Sequence, residues 1–474
     1  MTEEELKKIM ETNNSAIIAP AGHGKTEMIT DIVNYSKGKQ LILTHTNAGV
    51  DAIEKRLRKR GIKKEKYCVS TIASYCIKWC TSYKKIANFD DDLSPLNGKY
   101  EAKQYYANLY IGTKKIFSEN WAGIVLKSTY EGIVVDEYQD CIQTQHEIIL
   151  EMNKYLPVRV FGDPMQGIFS FAGNLVNWNN LNYSVVNIKT KPWRWENRNP
   201  DLGEYLNTVR NALEPILQGQ KCSIYIGPDN KNVEVIPSND FTGYSLLKKL
   251  SQFNKVVYIT KWPKQQLNVC RRMPGLFQYD EKQDCDELFK FAELFDSQEG
   301  VLLINSVISF MDSCSTGVRT ELKTYIKKLE ENSLDFSRIR KHPDFQIIID
   351  ENGPSITKET VLKLLSWFYE CPVFKKYRIE LISEMIRSIK YSIDNQTSIF
   401  EAANHIRKDS SLHKRYNSFK FLSSRTLLSK GLEFDCVIID MENPLSAKDF
   451  YVAMTRAMKK VYIISDTRYF EFND

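Results

Sequence analysis

No stretch of this chain is both long enough and apolar enough to cross a bilayer; runs such as VLLINSVISFM are short and broken by polar residues. A membrane-spanning role is therefore set aside. The first residues, MTEEELKKIM, are charged from position three and lack a basic start followed by an apolar core, so no secretory leader is read there. The expectation is a cytoplasmic protein. Cysteine density is low as well: ten cysteines are scattered over 474 residues, unlike the packed frameworks of small disulfide-stapled domains. They read as reduced thiols. Cys76 and Cys80, with Cys68 nearby, are close enough to suggest a metal, but a helical spacing without a second pair makes zinc or iron–sulfur the minor reading. Internal repeats, heptad arrays and low-complexity segments are also missing, which excludes solenoids, coiled coils and disordered tails as the main architecture.

What is present is an ordinary globular balance, 42% hydrophobic and 26% charged, in a chain too long for a single core. Several modules are expected. The net charge of +6 is matched by one segment, Glu54 to Lys66, with eight basic and two acidic residues. Such a local excess reads either as an edge that faces a polyanion or as a solvated helix face.

Short β-branched runs precede helix-like segments in the first part of the chain: SAIIAP, QLILTH, KYCVS, GIVVD and PVRVF. A second set, YSVVNI, VEVIPS, KVVYIT, FDCVIID and KVYIIS, returns later. Buried parallel strands between helices have this pattern, so two α/β modules are expected. Two stretches break the rhythm with amphipathic helical patterns, as in VRTELKTYIKKLEEN, where Leu322, Tyr325, Ile326 and Leu329 recur at helical spacing. The resulting division places a first α/β module at 1–80 and 129–180, interrupted by a small helical insertion at 81–128. A second module spans 181–267 and 417–474, interrupted by a helical insertion at 268–416.

The most informative stretch is APAGHGKT, which fits A-x-x-x-x-G-K-T between a strand-like and a helix-like segment. Ala19, Pro20, Ala21, Gly22, His23 and Gly24 form a loop whose N–H groups can surround phosphate oxygens, and the following helix adds its positive end. Lys25 would meet the β/γ-phosphates of ATP, and the Thr26 hydroxyl a Mg²⁺ ion. In GIVVDEYQD a buried strand delivers Asp136 and Glu137 at its carboxyl end, the first suited to the metal shell and the second to polarising a water as general base.

Together with APAGHGKT, the segments DEYQD, VFGDPMQGIFSFAG, LLSKGLEFD and YVAMTRA, in this order, resemble the UvrD/Rep-like helicases of superfamily 1. The resemblance implies two RecA-like P-loop domains, each with a parallel sheet and a mainly helical insertion. It implies ATP hydrolysis between them and movement along single-stranded DNA, 3′ to 5′, up to duplex junctions. By the same resemblance Thr44, His45, Thr46 and Asn47, with Thr71 and Ser74, would contact DNA, and Phe169 and Phe171 would stack on bases. Gln166 would sense the γ-phosphate, Arg194 and Arg456 would reach it, Glu433 would read the ribose, and Lys430 would lie beside the DNA path. Stacking suits a motor because every base has a π-face.

This sequence departs from the family pattern in four places. MTEEELKKIMETNNS lacks the upstream glutamine that reads adenine; His45 replaces an aromatic, Ala172 an arginine and Leu427 a histidine. The insertions are compact, and no nuclease-like segment is read before residue 17 or after 457. A compact member of this kind resembles the helicase-like subunit of Gabija-type antiviral systems, which works beside an OLD-family nuclease. A second reading, from a different class, is a nucleotide-gated DNA-binding subunit that signals to a partner nuclease with little unwinding of its own.

Overall fold

The computed structural model describes residues 1–90, 102–169, 173–240, 243–281, 285–351, 355–412 and 419–473. It divides into two compact units, one formed by Met1–Ser238 with Ser429–Asp474 and the other by Asn239–Leu428.

In the first unit, six strands form a sheet in the order β3-β2-β4-β5-β1-β6: β1 (Asn14–Ile18), β2 (Gln40–Thr44), β3 (Tyr67–Thr71), β4 (Gly132–Val135), β5 (Val158–Gly162) and β6 (Ser184–Val185). Every pairing in it is parallel. Alternate side chains enter different cores. Ala16, Leu41, Leu43, Ile133 and Val135 pack into one, and Ile17, Ile42, Val134 and Phe161 into the other. A sheet buried on both faces explains why its strands read as continuous apolar runs. The five early runs all became strands. The segment YSVVNI, read with the later set, instead joins the edge of this first sheet through β6, where Ser184 and Val185 pair with Ser15 and Ala16.

The first unit also holds an antiparallel pair, β7 (Cys222–Tyr225) with β16 (Tyr469–Phe472), and a parallel group in which β8 (Val233–Ile236) and β14 (Phe434–Asp440) flank β15 (Ala457–Ile464). The second unit has its own parallel group, in which β13 (Phe421–Arg425) lies between β9 (Val256–Thr260) and β10 (Gln278–Tyr279). The fold is thus α/β with parallel sheets, as expected. Strand β13 escaped the sequence reading because FLSSR carries two serines; both are fully buried, and Ser423 donates its hydroxyl to the Gln266 carbonyl.

The rest of the second unit is helical apart from the short antiparallel pair β11 (Ser315–Thr316) and β12 (Lys375–Lys376). Its core gathers Phe291, Phe295, Phe310, Tyr325, Phe345 and Phe368. The pattern seen in VRTELKTYIKKLEEN folds as two short helices, Val318–Glu321 and Lys323–Glu330, that bury Leu322, Tyr325 and Leu329.

The ten cysteines are all free thiols. Cys80 Sγ lies 3.3 Å from the Thr113 hydroxyl, and burial pushes the Cys76 thiol up to about 12, so both behave as small core side chains. Among the described residues no His, Cys, Asp or Glu group could hold a metal by itself, and no helix is long and apolar enough to cross a membrane.

Candidate nucleotide site

The loop after β1 enters the helix Lys25–Tyr35 through Gly24, which caps it with φ 84°, while Gly22 has φ 72°. Both conformations favour glycine. A further constraint acts at Gly22, where a Cβ would lie 2.6 Å from the Trp195 ring and 2.8 Å from Arg194 Cβ. The segment Trp193–Trp195 therefore packs directly on the loop, and the Arg194 N–H donates to the Gly22 carbonyl at 3.1 Å. His23, between the two glycines, turns inward. It is 3% exposed, with Nδ1 2.9 Å from the Ala21 carbonyl, and burial lowers its pKa.

Lys25 is nearly buried, with Nζ 3.4 Å from the Ala19 carbonyl and 3.8 Å from Glu137 Oε1. Glu137 follows β4 in the left-handed region, φ 55°, an unfavourable conformation for a side chain of this size and typical of functional positions. Burial would raise its pKa, but Lys25 and Lys430 outweigh it and keep the carboxylate well below the usual range. Asp136 behaves oppositely, pushed up to about 7 by burial and the Glu137 charge. Its Oδ1 is buried without a hydrogen-bond partner. A buried carboxylate oxygen of this kind fits a cation, so Asp136 and Thr26 are suited to hold Mg²⁺, whose charge would reverse the local pKa balance.

Two arginines reach this region from later in the chain. Arg194 Nε pairs with Glu433 Oε1 at 2.9 Å, and its Nη1 donates to the Thr455 carbonyl at 2.9 Å. Arg456, 2% exposed, donates from Nε to the Val452 carbonyl and from Nη2 to Thr455 Oγ1. Burial and the Arg194 charge push its guanidinium down, which marks two cations held close together in a poorly solvated place. An arriving anion would relieve that repulsion.

Gln166 and several unforeseen residues complete the network. Asp163, fully buried after β5, accepts from Gln166 Nε2 (3.1 Å), Arg210 Nε and Nη2 (3.2 and 3.1 Å) and the Tyr451 hydroxyl (3.2 Å). The same hydroxyl accepts the Ala21 N–H of the phosphate loop at 3.3 Å. Gln139 accepts the Asp163 N–H at 3.0 Å and donates to the Glu137 carboxylate, so it holds the candidate base in place. Asp163, Gln139 and Tyr451 lie inside the motifs GDPMQ, DEYQD and YVAMTRA. Arg210, in the helix Pro200–Leu213, had no local signal. Trp193 is 54% exposed beside Gly24; the Lys191 ammonium sits 3.7 Å from the centre of its ring, which otherwise offers a flat surface at the mouth of the phosphate loop on which a base can stack.

The candidate DNA contacts are placed differently. Thr44 is 2% exposed at the end of β2. His45 lies against Cys141, and burial, with help from Lys430, lowers its pKa to about 4. Thr46 caps the helix Asn47–Lys59 by accepting the Gly49 N–H, and Thr71 caps the helix Ile72–Ser82 by accepting the Ser74 N–H. Lys430 pairs with Asp140 at 2.5 Å, donates to the Gln166 carbonyl at 2.6 Å and sits 4.9 Å above the Phe169 ring. It thus bridges the acid loop and the glutamine loop. Glu433 holds Arg194. Phe171, like Ala172, lies outside the described residues. In the basic segment, Arg56 and Arg60 pair with Glu27, Arg60 also with Asp31, and Arg58 and Lys64 pair with Glu54. Half of its cations are thereby matched locally.

Residues 2–172 match the family model of an AAA domain, and residues 428–464 match that of a UvrD-like helicase C-terminal domain. The first matched segment contains APAGHGKT, DEYQD and GDPMQ, and the second contains KGLEFD and YVAMTRA. No curated protein matches the chain. Among solved structures, Pif1 helicase from Candida albicans is 12% identical, with 99% of this chain and 95% of that chain covered and a TM-score of 0.38. Arterivirus nonstructural protein 10 (helicase), in complex with DNA, is 10% identical with a TM-score of 0.33; the match covers 98% of this chain and 63% of that one. The chain therefore spans less than two thirds of the length of the arterivirus helicase.

Proposed function

We propose that this protein is a DNA-dependent ATPase that translocates on single-stranded DNA, 3′ to 5′ as the resemblance implies, and opens duplex junctions. The observation that carries the reading is the gathering of Lys25, Glu137, Gln166, Arg194 and Arg456 around one phosphate loop. Lys25 neutralises phosphate oxygens. Glu137, oriented by Gln139, accepts the proton of the attacking water, and its low pKa keeps it ionised for that task. Arg194 and Arg456 stabilise charge on the transferring phosphoryl group. Thr26 and Asp136 would hold Mg²⁺, which when bound would neutralise further phosphate charge. Trp193 offers a ring on which the nucleotide base can stack, without the adenine readout that the missing upstream glutamine would supply. Lys25→Ala and Glu137→Gln are each expected to lower DNA-stimulated hydrolysis by about a hundredfold or more; full activity in either variant sinks the mechanism.

A second reading, the nucleotide-gated DNA-binding subunit, is favoured by Lys430, which is tied to Asp140 and Gln166 and so is engaged inside the protein. In that reading the nucleotide cycle signals to a partner nuclease; under either reading the chain works in the cytoplasm, in antiviral defence beside an OLD-family nuclease or in DNA repair. A strand-displacement assay with the isolated chain separates the two: robust unwinding excludes the purely regulatory role.

A further inference from the structure

The Tyr451 hydroxyl occupies an unusual position. It accepts the N–H of Ala21, in the phosphate loop, and donates to Asp163, to which Arg210 and Gln166 also donate. One hydroxyl has one donor and two lone pairs, so both contacts are satisfied together. Tyr451 is 2% exposed and Asp163 fully buried. Both bonds therefore act away from competing water.

Tyr451 belongs to the helix Ala447–Met454, and Arg456 follows its C-cap, Thr455. The guanidinium of Arg456 is hooked onto the Val452 carbonyl and Thr455 Oγ1 of that same helix end, and Arg194 grips the Thr455 carbonyl. The orientation of both arginines is thus referred to one short helix. Apolar packing can hold that helix near the loop, but it does not fix its rotation or its slide. Directional hydrogen bonds do. We infer that Tyr451 is a positioning residue for phosphoryl transfer: through Asp163 and the Ala21 N–H it sets the helix that carries Arg456 at a fixed register against the phosphate loop. Arg210 donates to the other oxygen of Asp163 and so keeps that carboxylate aimed. Gln166, on the same carboxylate, is set by the same node.

The inference rests on the ATPase reading above. It is tested with the full chain by steady-state ATP hydrolysis with single-stranded DNA, comparing wild type, Lys25→Ala, Tyr451→Phe, Arg456→Ala and the double variant Tyr451→Phe/Arg456→Ala, with melting temperatures for each. Tyr451→Phe is expected to lower kcat about tenfold with the KM for ATP within about twofold, because a misplaced transition-state contact costs rate and not ground-state binding. The double variant is expected to be no slower than Arg456→Ala, since the hydroxyl acts through that arginine. Asp163→Asn is expected to reproduce the kcat loss and guards against an unstable Tyr451→Phe. An unchanged kcat in Tyr451→Phe, or a loss that multiplies with that of Arg456→Ala, overturns the assignment while leaving the ATPase reading intact. Wild-type hydrolysis that is absent, or indifferent to Lys25→Ala, overturns both.

Discussion

The residues around the phosphate loop and those assigned to the DNA path use their hydrogen-bonding groups at different ranges. Around the loop several partners are distant in sequence: Arg210 and Asp163 are 47 residues apart, Arg194 and Thr455 261, and Tyr451 and Asp163 288. On the candidate DNA side, Thr46 and Thr71 bond three residues ahead, as helix caps. The nucleotide site is therefore a tertiary construction that exists only when the unit is folded. The DNA-side threonines also belong to their own helices, whatever strand they meet. This difference teaches that loss of stability means different things on the two sides.

The largest break in that comparison is expected from Arg210→Met. It leaves the Asp163 carboxylate buried without its cation, a change of the class that costs about 3–5 kcal/mol, and should appear as a lower urea midpoint together with reduced hydrolysis. Thr46→Ala should cost only about 1 kcal/mol, the worth of one cap. Thr46→Asp sharpens the contrast, because it keeps the cap while adding a negative charge. The expected result is near wild-type stability with single-stranded DNA affinity several-fold weaker, and a salt slope close to the wild-type one because no phosphate-contacting cation is removed.

The histidines give smaller effects. His45 has a folded-state pKa of about 4 against an ordinary value of 6.5, so below 6.5 the unfolded chain takes up a proton that the folded one does not. Stability should fall as pH drops from about 6.5 toward about 4, and His45→Gln should flatten that window in denaturant melts. His23 is likewise shifted down, by burial, and stays neutral near pH 7. The smallest expectation is that His23→Ser leaves the shape of the hydrolysis profile between about pH 7 and 8 unchanged.

Legibility in the sequence followed the same division. The phosphate loop was readable because Ala19 to Thr26 are consecutive and their glycines, lysine and threonine have few other reasons to stand at that spacing. Asp136 and Glu137 were readable because a buried strand announces the end from which they emerge. The strands of the first sheet were visible as apolar runs, whereas β13 was hidden by serines that tertiary contacts satisfy. Arg210 was not readable at all, since a lone arginine on an amphipathic helix normally faces water. Only the fold brings it to Asp163. Lys430 shows the converse: its resemblance-based place beside DNA is joined by contacts to Asp140 and Gln166 that no local pattern encodes.

The central claim is that the phosphate loop and the two arginines serve a hydrolysis that responds to DNA. The most direct measurement is ATP turnover by the purified chain with single-stranded DNA, duplex DNA, RNA and no nucleic acid. The account expects slow basal turnover and a rise of about tenfold or more with single-stranded DNA, lost in Glu137→Gln. Turnover that is absent in every arm, or equal with and without nucleic acid, would contradict it.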